Sequence, residues 1–212
     1  VTSSASQHLA LVHLQLTPKQ WRAIPGAKAA VQQEYDQLFA IDFVDLNNPC
    51  EYDDVASRAT KTGKTIYFGR VFPLCHIKHS ELDEKFHKYK GRVVFGGNQV
   101  KDENGLQAIF AEQGTSASHM VCAKVVDTIA RLPSVDGQDA DAQKAYTQAW
   151  MSEFEGDTET WIDLPTDQWP KSWINTFRRP VVRLRRNLYG HPLAGLYWEK
   201  PVSYTHLRAH ET

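Results

Sequence analysis

Thr65-Ile66-Tyr67-Phe68-Gly69-Arg70-Val71-Phe72-Pro73-Leu74-Cys75 is the stretch on which the fold class turns. Ile66, Tyr67, Phe68, Val71 and Phe72 are β-branched or aromatic and predict a strand. Pro73 weakens its far end, because proline cannot donate to a ladder. Before it, Pro25-Gly26 opens a helix predicted over residues 27–39, with Val31, Tyr35 and Leu38 on one face. After it, residues 92–95 predict a second strand, Gly96-Gly97-Asn98 a turn, and Val100 the start of a return strand. Ser116 or Ser118 caps a helix reaching Leu132, with Val121, Val125, Ile129 and Leu132 along one side and Pro133 ending it. A short strand over 138–142 leads into a helix carrying Ala145, Tyr146, Ala149 and Trp150. Strands over 160–164 and 181–184 follow, and Pro192 starts a last helix running through Trp198. Helices and short strands alternate without regular βαβ spacing, which predicts an α+β fold.

The whole chain has 212 residues, 42% hydrophobic and 23% charged, with a formal net charge of -1. Collagen-like, disordered and disulfide-framework classes are excluded by these values. The charge is sorted along the chain. Residues 34–54 hold Glu34, Asp36, Asp42, Asp45, Glu51, Asp53 and Asp54 and no Lys or Arg. Residues 61–101 reverse this, with nine Lys or Arg against three acids. Residues 135–163 hold eight acids and only Lys144, and residues 171–186 are basic without an acid. Basic blocks bracketing an acidic one suit a site where carboxylates hold divalent ions and cations grip phosphates. Two solvated basic faces would give the same pattern.

Cys50, Cys75 and Cys122 are far apart and odd in number, which predicts reduced thiols. No apolar run approaches the ~20 residues that span a bilayer, so no membrane partner is expected. The chain starts Val1-Thr2-Ser3-Ser4 without Met, which suggests a piece of a longer reading frame. Residues 201–212 continue no earlier pattern and read as an appended, non-native tail. The expected organisation is an N-terminal flank over 1–20, one partial domain over 21–200, and that tail.

Three motifs fail on inspection. Gly63-Lys64-Thr65 resembles the end of a P-loop, but the first glycine would fall on Arg58. No two histidines pair at i, i+4 around a Glu, and no Gly-x-Ser-x-Gly elbow exists. Gln138-Asp139-Ala140-Asp141-Ala142-Gln143-Lys144-Ala145-Tyr146 is more informative. On a strand, Asp139 and Asp141 share one face, and small neighbours let a cation and a phosphate approach. An aromatic five residues on, Tyr146, is placed to floor a nucleotide pocket. Asp-x-Asp also serves sugar-nucleotide binding through a divalent ion, and it also occurs as a polar turn; spacing leaves these readings open.

Four segments together resemble the reverse transcriptase region of copia-type retrotransposon polyproteins, over residues 20–200. Tyr89-Lys90-Gly91-Arg92-Val93-Val94-Phe95-Gly96-Gly97-Asn98 is similar to the family's Tyr-Lys-Ala-Arg-Leu-Val-Ala-Arg-Gly. Asp141-Ala142-Gln143-Lys144-Ala145-Tyr146-Thr147-Gln148-Ala149 resembles Asp-Val-x-x-Ala-Phe-Leu-x-Gly. Trp161-Ile162-Asp163-Leu164-Pro165 stands in the place of Tyr-Met-x-Gln-Pro. Leu188-Tyr189-Gly190-His191-Pro192-Leu193-Ala194-Gly195-Leu196-Tyr197-Trp198 resembles Leu-Tyr-Gly-Leu-Lys-Gln-Ala-Pro-Arg-Ala-Trp.

The resemblance implies partial fingers and palm with an incomplete palm sheet. It implies an RNA-directed DNA polymerase using two Mg²⁺ ions for nucleotidyl transfer. Asp141 matches the first catalytic, metal-binding aspartate. Lys90 and Arg92 match basic residues that meet the triphosphate. Ala142 lends its backbone, and Tyr146 matches the aromatic that packs under the sugar and excludes a 2′-hydroxyl. Leu193 replaces the family's Gln near the incoming base. The Tyr-x-Asp-Asp hairpin does not occur between Trp198 and Thr212, so the isolated chain is expected to be inactive. Expected partners are an RNA or DNA template-primer, dNTP, and the integrase and RNase H of the polyprotein. The family is expected in cytoplasmic virus-like particles or the nucleus. Two other readings stay open: a non-catalytic nucleic-acid-binding remnant of a retroelement, and a glycosyltransferase built on Asp139.

Overall fold

A computed structural model of the chain describes residues 13–110, 120–135, 142–154, 156 and 158–199. Its fold is mixed α+β around a six-stranded mixed sheet. The spine is β3 (Ile66–Lys78), which grows from the predicted strand. Its first half pairs in parallel with β5 (Glu159–Asp163). Its second half pairs antiparallel with β4 (Lys88–Phe95) on one edge and β1 (His13–Leu16) on the other. β6 (Pro180–Arg183) follows β5, and β2 (Cys50–Glu51) follows β6. Pro73 lies opposite Val93, and the pairing of β3 with β1 begins only at Cys75. One edge of β3 is therefore unpaired at Pro73, the place where a residue without an N–H is tolerated.

Period-two alternation along β3 assigns its faces. Val71, Cys75 and Ile77 point into the larger core with Val93, Phe95, Ile162 and Val182. Ile66 and Phe68 point the other way, into a smaller core with Trp161 and Val181. α2 (Pro25–Phe39) covers the first face and buries Ala27, Val31, Tyr35 and Leu38, as its spacing predicts. α3 (Tyr52–Thr62) covers the second with Val55 and Ala59. Gly63 ends α3 in the left-handed region (φ 67°). The Gly-Lys-Thr triplet is thus a helix stop, consistent with its rejection as a phosphate loop.

Several elements had no clear sequence signal. β1 and α1 (Pro18–Ala23) fall largely within the expected 1–20 flank, yet β1 pairs with β3 and Trp21 is buried. Thr17 and Gln20 close a capping box that starts α1. Two predictions need correction. Val100 starts no strand: Lys101 makes only isolated bridges to Phe68 and Gln107. The helix predicted over 145–150 is one turn, α5 (Ala145–Gln148), and Trp150 instead bridges Arg186. α4 (Met120–Ala130) forms as expected, but Val121, Val125, Ile129 and Leu132 are half or more exposed. The start of that helix, residues 138–141 of the predicted 138–142 strand with Asp139 and Asp141, and the 201–212 tail lie outside the described residues. Residues 194–199 form the last helix. No helix among the described residues is long and apolar enough to cross a membrane.

Candidate functional site

Among the described residues β4 pairs with β3 on one edge only, and α2 lies against it. The approach is close because Gly91 has no side chain. A Cβ there would stand 2.4 Å from the Ala30 carbonyl oxygen and 2.7 Å from the Val31 Cα. The next residues on either side, Lys90 and Arg92, are exposed, as strand alternation requires. The far end of β4 is held by a second close contact. The Phe95 amide donates to the Tyr189 carbonyl at 2.8 Å. Gly97 and Gly190 meet backbone to backbone, where a Cβ on Gly97 would come within 2.3 Å of the Gly190 oxygen. Gly190 takes φ 87°, which a side chain would strain. Tyr189 is thereby fixed beside β4.

A cleft of about 560 Å³ opens between these elements. Lys90, Arg92, Ala142, Lys144, Glu34 and Tyr189 are among the residues that line it. Three cations face one carboxylate, so the lining favours an anionic ligand. The Arg92 guanidinium carbon lies 5.8 Å from the centre of the Tyr189 ring. Tyr146 is not part of the lining, but its ring meets Tyr189 edge-on at 4.8 Å. Lys144 takes φ 52°, unusual for a residue with a side chain, and its Nζ donates to Gln37 Oε1 at 2.6 Å. That bond ties the segment leading into α5 to α2. Across β4, His76 stands opposite Lys90. Burial, then the charges of Arg92 and His13, hold its pKa below the usual histidine range.

Of the residues expected at the site, Lys90, Arg92 and Ala142 come together in one cleft, with Tyr146 one ring away. Asp141 lies outside the described residues. Sequence reasoning did not single out Glu34, Gln37 or Lys144. Glu34 and Gln37 lie three apart on one side of α2, but both read as solvent-facing polar positions. Tyr189 was visible only as part of its motif. Among the described residues no group of three or more His, Cys, Asp or Glu is placed to hold a metal ion. Comparison with protein families, curated proteins and solved structures finds no match to this chain.

Proposed function

We propose that this chain is the fingers-and-palm part of an RNA-directed DNA polymerase of the copia type. On this reading the cleft between α2 and β4 takes the triphosphate of the incoming nucleotide. One observation carries it. Lys90 and Arg92 come from one motif, Ala142 from a second and Tyr189 from a third, and all four line the same cleft. Charge-assisted hydrogen bonds from Lys90 and Arg92 would hold phosphate oxygens. On this reading Tyr146, whose ring meets Tyr189 edge-on, would limit room at the sugar. Asp141 keeps its expected role as the catalytic carboxylate. Mg²⁺ would supply charge stabilisation at the reacting phosphate in the parent enzyme.

Titration with a fluorescent dNTP tests the reading. Arg92→Gln and Lys90→Gln are each expected to weaken binding by about tenfold, the loss of one charge-assisted contact. Tyr146→Val is expected to reduce the preference for dNTP over NTP while leaving triphosphate affinity near that of the parent. Binding that is absent, or indifferent to both basic substitutions, would sink the proposal.

A further inference from the structure

The sheet carries a second cavity, of about 300 Å³, that shares no lining residue with the α2–β4 cleft. Arg70 at the end of the parallel stretch of β3, Lys101 after the turn, and Arg179 before β6 stand around it. Asp163 at the end of β5 is the one carboxylate among the lining residues. Each cation sits on backbone that is tied down. The Gly96 amide donates to the Arg70 carbonyl at 2.9 Å. Lys101 exchanges two backbone hydrogen bonds with Phe68, at 2.7 and 2.9 Å. The Arg179 amide donates to Glu51 Oε2 at 2.9 Å, and its carbonyl accepts from Tyr52 at 3.0 Å.

Several cations around β5 and β6 are matched with acids. Lys64, Arg183 and Arg58 surround Glu159 at 2.7, 3.0 and 3.5 Å. Arg178 pairs with Asp53 and Arg185 with Asp45. Among the described residues no acid lies within ion-pair distance of Arg70, Lys101 or Arg179, although Asp163 is near enough to feel Arg70 and Arg179. Three cations carried on tied-down backbone around a concavity, without an ion-pair partner among the described residues, make an anion site. The aromatic lining narrows the ligand. Arg179 already covers the Tyr52 ring at 3.7 Å, and Phe68 packs on it at 4.2 Å. Tyr52 already carries Arg179 and Phe68 is buried, so the lining favours recognition of the phosphate itself.

We propose that the cavity bounded by Arg70, Lys101 and Arg179 binds a phosphoanion, either a free polyphosphate or a phosphate of a nucleic-acid backbone. It does so independently of the α2–β4 cleft. Inorganic pyrophosphate is the probe, and the amide resonances of Gly69, Arg70 and Lys101 in the full chain are the local readout. Those resonances are expected to shift and saturate. Arg70→Gln and Lys101→Gln should each raise the apparent Kd by about tenfold. Asp163→Asn should lower it, because a like charge is removed. Arg92→Gln should leave these resonances and their Kd unchanged, so failure here is separate from failure of the dNTP reading. Both basic side chains are exposed, and unchanged thermal melts establish that the variants fold. A short oligothymidylate then separates the sources. Displacement of pyrophosphate by it, dependent on Lys101, assigns the site to nucleic-acid backbone. Lack of displacement assigns it to free phosphoanions. Resonances that do not saturate, or a Kd indifferent to both Arg70→Gln and Lys101→Gln, would overturn the proposal.

Discussion

His191 concentrates the chemistry of burial in one residue. It lies within the last motif, between the rings of Phe95, Phe110 and Tyr197 at 4.9, 6.2 and 5.7 Å. Its Nδ1 accepts from the Leu193 amide at 3.2 Å, which places the proton on Nε2, and Nε2 has no partner among the described residues. An imidazolium in such surroundings is costly, and burial lowers its pKa to about 4. In the unfolded chain the group titrates near ~6.5. Between these values the unfolded state binds more protons than the folded one, so stability falls as pH drops from about 6.5 to about 4. The full shift is worth about 3 kcal/mol. Thermal melts across that window are expected to show the decline. His191→Phe should flatten it, whatever it does to stability at neutral pH. A parallel decline in the variant would assign the effect to other groups. His76, whose pKa burial also lowers, adds a decline in the same window that remains in His191→Phe, whereas Glu159 belongs to a lower window. Burial raises its pKa, but the bonds from Lys64 and Trp161 and the charge of Arg183 bring it down to about 2. Its stabilisation is present above pH ~4.5 and is lost only below that.

The packing of α2 on β4 rests on Gly91 at the level of whole elements. A methyl group there meets the helix backbone, which cannot turn aside as a flexible side chain can. Gly91→Ala is expected to destabilise the fold by about 1–3 kcal/mol, as overpacking does. It should also weaken ligand binding in the cleft, since Lys90 and Arg92 flank it; chemical denaturation and dNTP titration read the two effects separately. Full tolerance of the Gly91→Ala substitution would mean that helix and strand are not in close contact. The spacing of Val31, Tyr35 and Leu38 was enough to place α2, because helix periodicity survives in a single amphipathic face. β3 was legible from its β-branched and aromatic run. Its length was not, because its last residues are specified by pairing with β1 and β4 rather than by composition. β1 was missed because four residues, His13-Leu14-Gln15-Leu16, carry too little pattern to stand apart from a loop. α4 shows the reverse case. Its apolar periodicity predicted a helix correctly, but periodicity cannot say what covers the face, and Val125 and Ile129 remain half exposed. At the site, Lys90, Arg92 and Ala142 were legible only through motif resemblance and Tyr146 also through its spacing after Asp141, whereas Glu34 and Lys144 required the tertiary approach of α2.

Across the whole molecule, the net charge of -1 hides a spatial sorting that matters for long ligands. Much of the basic charge in the last block is spent internally. Arg183 is engaged with Glu159, Arg185 with Asp45, and Arg186 lies 3.4 Å over the Trp150 ring. Lys90 and Arg92 on β4 keep exposed side chains, and no salt bridge is found for either among the described residues. Two basic blocks stand out in the sequence, and the fold leaves Lys90 and Arg92 of the first more available than Arg183 and Arg185 of the second. Without dNTP to occupy Lys90 and Arg92, a short RNA–DNA hybrid is therefore expected to bind through few phosphates. With about two phosphates neutralised, the slope of log K against log salt is about -2, and a fourfold rise in salt costs about tenfold in affinity. Arg92→Gln should reduce that slope by about one, whereas Arg185→Gln should leave it unchanged, because Arg185 is already engaged with Asp45 at 2.8 Å. Electrophoretic mobility shift or fluorescence anisotropy over a salt series measures both slopes. A slope of about -5 or steeper would place the second basic block on the nucleic acid after all. A slope near zero would remove the hybrid as a partner and leave the cleft to small phosphorylated ligands.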